Sequence, residues 1–221
     1  MSDRARQWGG VAAIVFVVLI VITIVSGGSP PAADDSAEKI RTYFIDHRGA
    51  LLVANLIGVL AIPFVLWFLV VLRDTLRGDG MANALGNAAF AGLVVTATMA
   101  LAGGAVSASV VYVDGFVNTV SADTVQLVFE AQTLLFAATS AGLILFSLTA
   151  GLAIQRTGAL PAYTMWLAFL ATLGNVLTVV STASSDAAML GLAGVTTFAL
   201  FVLVTGITMA MGKTTVSAAA V

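Results

Sequence analysis

The chain contains no cysteine, which excludes disulfides, thiolate metal sites and a cysteine nucleophile, and leaves the redox compartment unreadable. Charge is nearly as scarce. Only 9% of the 221 residues are charged, against about 25% in soluble domains, whose water-facing surface must be solvated. Hydrophobic residues make up 60% and the mean hydropathy is +1.07, so most of the outer surface must face lipid. At about 20 residues per span with short connections, membrane segments use up the length and leave no room for a folded extramembrane domain. A net charge of −2 without a basic run gives nucleic acid no footing as a partner.

The shortage of titratable side chains narrows the chemistry further. The two lysines, Lys39 and Lys213, both fall outside the apolar runs, so no lysine is placed for a retinal Schiff base. His47 is the one histidine, which excludes bis-histidine haem ligation and a histidine-based intramembrane metal cluster. Walker A, Rossmann, zincin and G-x-S-x-G motifs are all missing. No base is placed to activate any of the plentiful Ser and Thr residues. No cofactor is implied, and an enzyme is disfavoured.

What is present reads as an all-α polytopic membrane bundle of six transmembrane helices forming one domain, residues 1–221. Apolar runs place the spans at about 8–25, 50–72, 88–111, 131–154, 161–180 and 188–211. The first run superficially resembles a secretory signal. It is long for one, and Val25-Ser26-Gly27 is a poor cleavage site, so it is read as a retained span. Its uniform Val, Ile, Leu and Phe content places it at the lipid-exposed periphery. Between spans 1 and 2, residues 34–48 carry Ile40, Tyr43, Phe44 and His47 at helical spacing among charged residues, the pattern of an external amphipathic helix at the membrane surface. Pro63 inside span 2 predicts a kink.

Orientation follows from Lys and Arg. With the N-terminus inside, cytoplasmic segments hold Arg4, Arg6, Arg73, Arg77, Arg156 and Lys213, and external ones hold Lys39, Arg41 and Arg48. That bias predicts both termini in the cytoplasm of a bacterial plasma membrane. The segment Ser36–Phe44 resembles Ser121–Phe129, and Ser184-Ser185-Asp186 occupies the corresponding place before span 6. Two readings apply: repeated helical hairpins, as in some transporters, or independent helix starts that each select a hydroxyl and a carboxylate.

Five polar residues are candidates for function. Glu130 lies in an intramembrane register if span 4 starts near Asp123, with Gln132 and Thr133 nearby, and such a carboxylate marks proton or cation sites. Leu134–Ile154 alone is long enough to cross, however, which places Glu130 at headgroup level. Asn55 in span 2 and Asn175 in span 5 are amides at bilayer depth, suited to interhelical hydrogen bonding or to substrate. With Glu130 and Gln132 they define a candidate polar cavity. His47 is a candidate pH-sensitive external site, or a surface histidine among charged neighbours. Gly92, Thr96, Ala100 and Gly104 on span 3, and Ala137, Ala141 and Gly142 on span 4, form small-residue faces that predict a tight bundle of spans 3 to 6.

Trp8-Gly9-Gly10, the run Pro30–Ser36, the run Tyr43–Gly49 leading into span 2, and the run Arg156–Pro161 before a Trp-containing span 5 carry a family likeness. Over nearly its whole length the chain resembles a group of uncharacterised actinobacterial six-span membrane proteins related to a bacterial domain-of-unknown-function family. That group often has a basic or Trp residue after the proline, where this chain has Ala162-Tyr163. The resemblance implies a fold and a location but no activity. Two functions stay open. One is a non-catalytic accessory or structural component, contacting the lipid bilayer and a second copy or another membrane protein through small-residue faces. The other is a transporter or channel for a small molecule, lipid or ion, with its cavity among spans 2 to 5.

Overall fold

A computed structural model describes residues 2–28, 30–32, 34–181 and 191–212. The described residues form eight helices and no strand: α1 (Asp3–Ser26), α2 (Ala37–Asp46), α3 (Arg48–Thr75), α4 (Gly80–Val111), α5 (Phe116–Thr119), α6 (Ala122–Thr157), α7 (Ala162–Ser181) and α8 (Gly191–Ala210). All but α2 and α5 are long and apolar enough to cross a membrane, which makes six spans. The protein is a multi-pass membrane protein. Ser184, Ser185, Asp186 and Lys213, together with the expected start of span 6, lie outside the described residues.

Helix starts follow capping chemistry. The side chains of Ser2, Ser36, Asp79 and Ser121 each accept a hydrogen bond from a backbone N–H in the first turn that follows, satisfying donors that an isolated helix end leaves open. Ser36 and Ser121 are therefore both helix starts, but the two segments then diverge. The Ser36 helix stops at Asp46 and the chain turns at His47 into a separate α3, whereas the Ser121 helix continues unbroken for 36 residues. The amphipathic segment expected over 34–48 is thus ten residues of helix. At 1.5 Å per residue α6 is about 54 Å long, well beyond a hydrocarbon core of about 30 Å. Its length exceeds one crossing, and its first turns carry a cap formed with α2 and α5.

The six long helices close a ring in chain order, with α1 packed on α3, α3 on α4, α4 on α6, α6 on α7, α7 on α8, and α8 back on α1. A glycine marks every seam. Gly9 faces Val71 across α1–α3, Gly104 faces Asn55 across α3–α4, and Gly92 faces Gly142 across α4–α6. Gly151 faces Phe169 across α6–α7, Gly174 faces Ala193 across α7–α8, and Gly206 faces Gly10 across α8–α1. Lipid supplies no hydrophobic drive between helices, so close backbone approach and van der Waals contact must hold them together.

This ring corrects one expectation. Span 1 is not peripheral: its first half buries Gly9, Gly10, Ala12, Ala13, Phe16 and Val17 against α3 and α8. The outward side keeps the expected exposure, at Trp8 and Val11 in the first half and at Val18, Val21, Ile22, Ile24 and Val25 in the second. Uniform apolarity cannot distinguish lipid from a neighbouring helix, and the Gly9-Gly10 pair was the informative feature.

At the end of the ring where α1 starts, the centre is filled by aromatic side chains. Phe16 meets Phe198 edge-on at 6.2 Å between centroids, and Phe146 contacts Phe198 at 5.9 Å and Phe201 at 5.8 Å. Phe68, Leu69 and Leu72 of α3 complete the plug. Such ring pairs contribute about 0.5–1.5 kcal/mol each beyond the area they bury. At the opposite end a second cluster joins Ile40 and Phe44 of α2 to Val110, Val111, Val117, Val125 and Phe129. This is the cap.

Candidate functional site

The intramembrane amides sit in opposite walls of the ring. Asn175 of α7 is 1% exposed, and its Nδ2 donates to the Ala171 carbonyl at 2.8 Å and, at the limit of 3.5 Å, to the Gly194 carbonyl of α8. A Cβ on Gly194 would lie 2.7 Å from Asn175 Oδ1, so that glycine makes room for the amide. Asn55 of α3 has the same relation to α4, with its Oδ1 against Gly104. The α3–α4 and α7–α8 seams are three steps apart around a ring of six. Each amide serves its own seam.

Glu130 is exposed and accepts a hydrogen bond from Gln126 Nε2 at 3.0 Å, one turn earlier on α6. Its chain neighbour Phe129 belongs to the cap cluster with Ile40 and Phe44, which sets Glu130 at the level of the cap. Gln132 is two residues on, so it points about 200° away around the helix. Its Oε1 is buried and has no hydrogen-bond partner. Among the described residues no hydrogen bond joins any two of Asn55, Glu130, Gln132 and Asn175.

His47 is the hinge between α2 and α3. Its Nδ1 lies 3.2 Å from the Tyr43 carbonyl, and the two rings stack at 4.6 Å. Tyr43 donates its hydroxyl to the Gly27 carbonyl at 2.7 Å, and burial pushes its phenol pKa up from the ordinary value. Gly28, with φ +68°, turns the chain beside the imidazole, and a Cβ there would lie 3.6 Å from Nε2. The pair thus ties the end of α1 to the start of α3.

Two arginines that charge counting treated only as loop charges hold the cap together. Arg48 Nε donates to the Val111 carbonyl at 2.8 Å and its NH2 to the Tyr112 carbonyl at 3.2 Å, with Asp114 at 3.4 Å. Arg41, seven residues earlier, donates to the carbonyls of Val117 at 3.3 Å and Asn118 at 3.0 Å. Both cations close C-terminal helix ends, where open carbonyls and the helix dipole favour positive charge. Neither α4 nor α5 has a basic residue in its last turn, and that lack was the available signal. Arg48→Gln is expected to lower stability by about 1.5–3 kcal/mol, the range for hydrogen bonds to a charged donor. Arg48→Lys should recover only part, because a point charge cannot reproduce the guanidinium fork. Thermal unfolding in mild detergent reads both variants.

Before α2 the connection is fixed by Asp35, which accepts from Lys39 Nζ at 2.7 Å and from the Ala32 N–H at 2.8 Å. The lysine first, then the backbone N–H, holds its carboxyl below the ordinary 3.8. A carboxylate depressed in the folded state contributes stability above its unfolded pKa and loses that contribution as pH falls through the folded value. The contacts of Asp35 with Ala32 and Lys39 should therefore loosen only below about pH 4. Carboxylate titration by NMR would show this, and a normal or raised Asp35 midpoint would refute it.

Among the described residues no group of three His, Cys, Asp or Glu side chains is arranged to hold a metal ion. No family model, no curated protein and no solved structure matches the chain.

Proposed function

We propose that the protein is a non-catalytic accessory component of a bacterial plasma membrane, acting through its outward surfaces on lipid and on a second copy or another membrane protein. One observation carries this reading: hydrogen bonds between the bundle's own polar groups cross each of the α4–α6, α6–α7 and α7–α8 seams, while Thr205 Oγ1 and Gln132 Oε1 lie buried without a partner. Thr96 Oγ1 donates across α4–α6 to the Thr139 carbonyl at 3.2 Å. Ser147 and Thr172 share a hydrogen bond of 2.9 Å across α6–α7. Asn175 and Thr178 do the same work at α7–α8, where the Gly194 N–H donates to Thr178 Oγ1 at 3.0 Å. With these groups engaged and the ring centre filled by phenylalanine, the seams serve the fold.

The resemblance to actinobacterial six-span proteins bears on the location alone, and the arginines support the orientation. Arg4, Arg6, Arg73, Arg77 and Arg156 lie at the ring end where α1 starts and α8 stops, while Lys39, Arg41 and Arg48 lie at the other. The first end is therefore assigned to the cytoplasm. A fluorescent-protein fusion to the C-terminus should glow and an alkaline-phosphatase fusion should be inactive; the opposite result would invert the assignment.

Gln132 favours the competing reading, a transporter or channel, because a buried Oε1 without a partner is a place for a ligand donor. Proteoliposomes separate the two. The accessory reading expects proton, sodium and potassium flux equal to that of empty vesicles. Saturable flux abolished by Gln132→Leu would establish the transporter instead.

A further inference from the structure

Two depressions meet on the outward face of α1. The first, about 590 Å3, is apolar and runs between α1 and α3, lined by Trp8, Val11, Val15, Pro63, Phe64 and Trp67. The second, about 560 Å3, lies at the start of α1 beside the end of α8 and includes Arg4, Gln7 and Ala210. Both include Trp8 and Val11, so one surface continues into the other. On α1, Arg4, Trp8, Val11 and Val15 follow the spacing of a single helix face. From Arg4 to Val15 the rise is about 16 Å, close to half of a hydrocarbon core of about 30 Å, which is the depth of one leaflet.

Charge completes the match. Asp3 pairs with Arg6 at 3.9 Å, and among the described residues Arg4 has no ion-pair partner, while no acid lines either depression. A cation and an amide therefore stand at the mouth of an apolar slot one leaflet deep. Trp8, 65% exposed, and Trp67, 52% exposed, flank it as interfacial aromatics do.

We propose that this face is a binding site for one anionic phospholipid of the leaflet that faces the N-terminus. The headgroup phosphate pairs with Arg4 and accepts from Gln7, and one acyl chain lies in the slot against Trp8, Phe64 and Trp67. The site stands whether the protein is an accessory component or a transporter, because it uses none of the seam residues.

The test uses the full chain with Trp166→Phe, so that of the three tryptophans only Trp8 and Trp67 emit. Reconstitution into nanodiscs with rising fractions of brominated phosphatidylglycerol should reach half-quenching at a fraction about fivefold lower than brominated phosphatidylcholine requires, the preference expected of one basic residue at the surface. Arg4→Gln, at an exposed position, should bring the two curves together. Val11→Phe should fill the slot and weaken quenching of Trp8 and Trp67 by both lipids. Identical curves for the two lipids in the parent chain would overturn the site. A preference that survives Arg4→Gln would overturn the assignment of the headgroup. Absent quenching, with cross-linking of two chains through this face, would show that a second copy occupies it.

Discussion

Gly142→Leu is expected to abolish the folded bundle. A Cβ at Gly142 would collide with the Gly92 carbonyl oxygen and Thr96 Oγ1, and would lie 3.0 Å from the Thr96 nitrogen. The reciprocal approach is equally tight: a Cβ at Gly92 would lie 2.7 Å from both the Gly142 oxygen and the Phe146 nitrogen. Most of these atoms are backbone, so no change of rotamer relieves the clash. The helices must separate, and the Thr96–Thr139 hydrogen bond goes with them. Overpacking a core ordinarily costs about 1–3 kcal/mol when side chains can shift. Here they cannot, and a loss of at least about 3 kcal/mol is a large part of a total stability of about 5–15 kcal/mol. Gly142→Ala should fall between the parent and the leucine variant. Gly49→Ala provides the contrast, since a Cβ there meets nothing within 4 Å; it should leave stability unchanged or raise it by up to about 1 kcal/mol through helix propensity. The comparison is read by thermal aggregation of detergent-solubilised protein. A parent-like midpoint for the leucine variant would mean that α4 and α6 do not cross at these glycines.

The parts of this architecture that were legible in the chain are those that depend on local pattern. Six spans follow from apolar runs, and the caps at Ser36 and Ser121 follow from hydroxyls placed before helical sequence. Azimuth around the bundle is less legible. Gly92, Thr96, Ala100 and Gly104 look like one face, but each four-residue step turns the face by about 40°. By Gly104 the stripe has rotated about 120°, from α6 to Asn55 of α3. The candidate cavity met the same difficulty. Polarity marked Asn55 and Asn175, whereas their partners depend on which of two neighbouring helices each one faces. Arg41 and Arg48 were hidden for another reason, since their carbonyl partners lie 63 to 77 residues away in the chain. No local pattern encodes contacts of that range. The sequence pattern also holds α5 poorly, because four residues of helix between a left-handed Gly115 and an extended Val120 leave almost no periodicity to read.

Gly10→Val should open the ring at its closing seam without dissolving the rest. A Cβ at Gly10 would strike the Gly206 carbonyl oxygen and would lie 2.5 Å from the Ala210 nitrogen. From the other side, a Cβ at Gly206 would lie 2.6 Å from the Ala13 Cβ and 3.0 Å from the Gly10 oxygen. A β-branched side chain at Gly10 therefore forces α1 and α8 apart, and the Phe16–Phe198 contact is lost with them. The α1–α3 seam at Gly9 and Val71 remains, so α1 stays attached along one side. The expected loss is about 2–3 kcal/mol, smaller than at α4–α6 and confined to one helix. Hydrogen exchange should rise over α1 and the second half of α8 while α4 and α6 keep their protection. Uniform loss of protection would show that closure of the ring is needed for the whole fold. Gly206→Ala alone should cost less, and the double variant should cost clearly less than the sum of the two, because a seam already opened by the valine has room for the second methyl group. Additive losses would mean that the two glycines act at separate contacts and that α1 and α8 do not meet backbone to backbone.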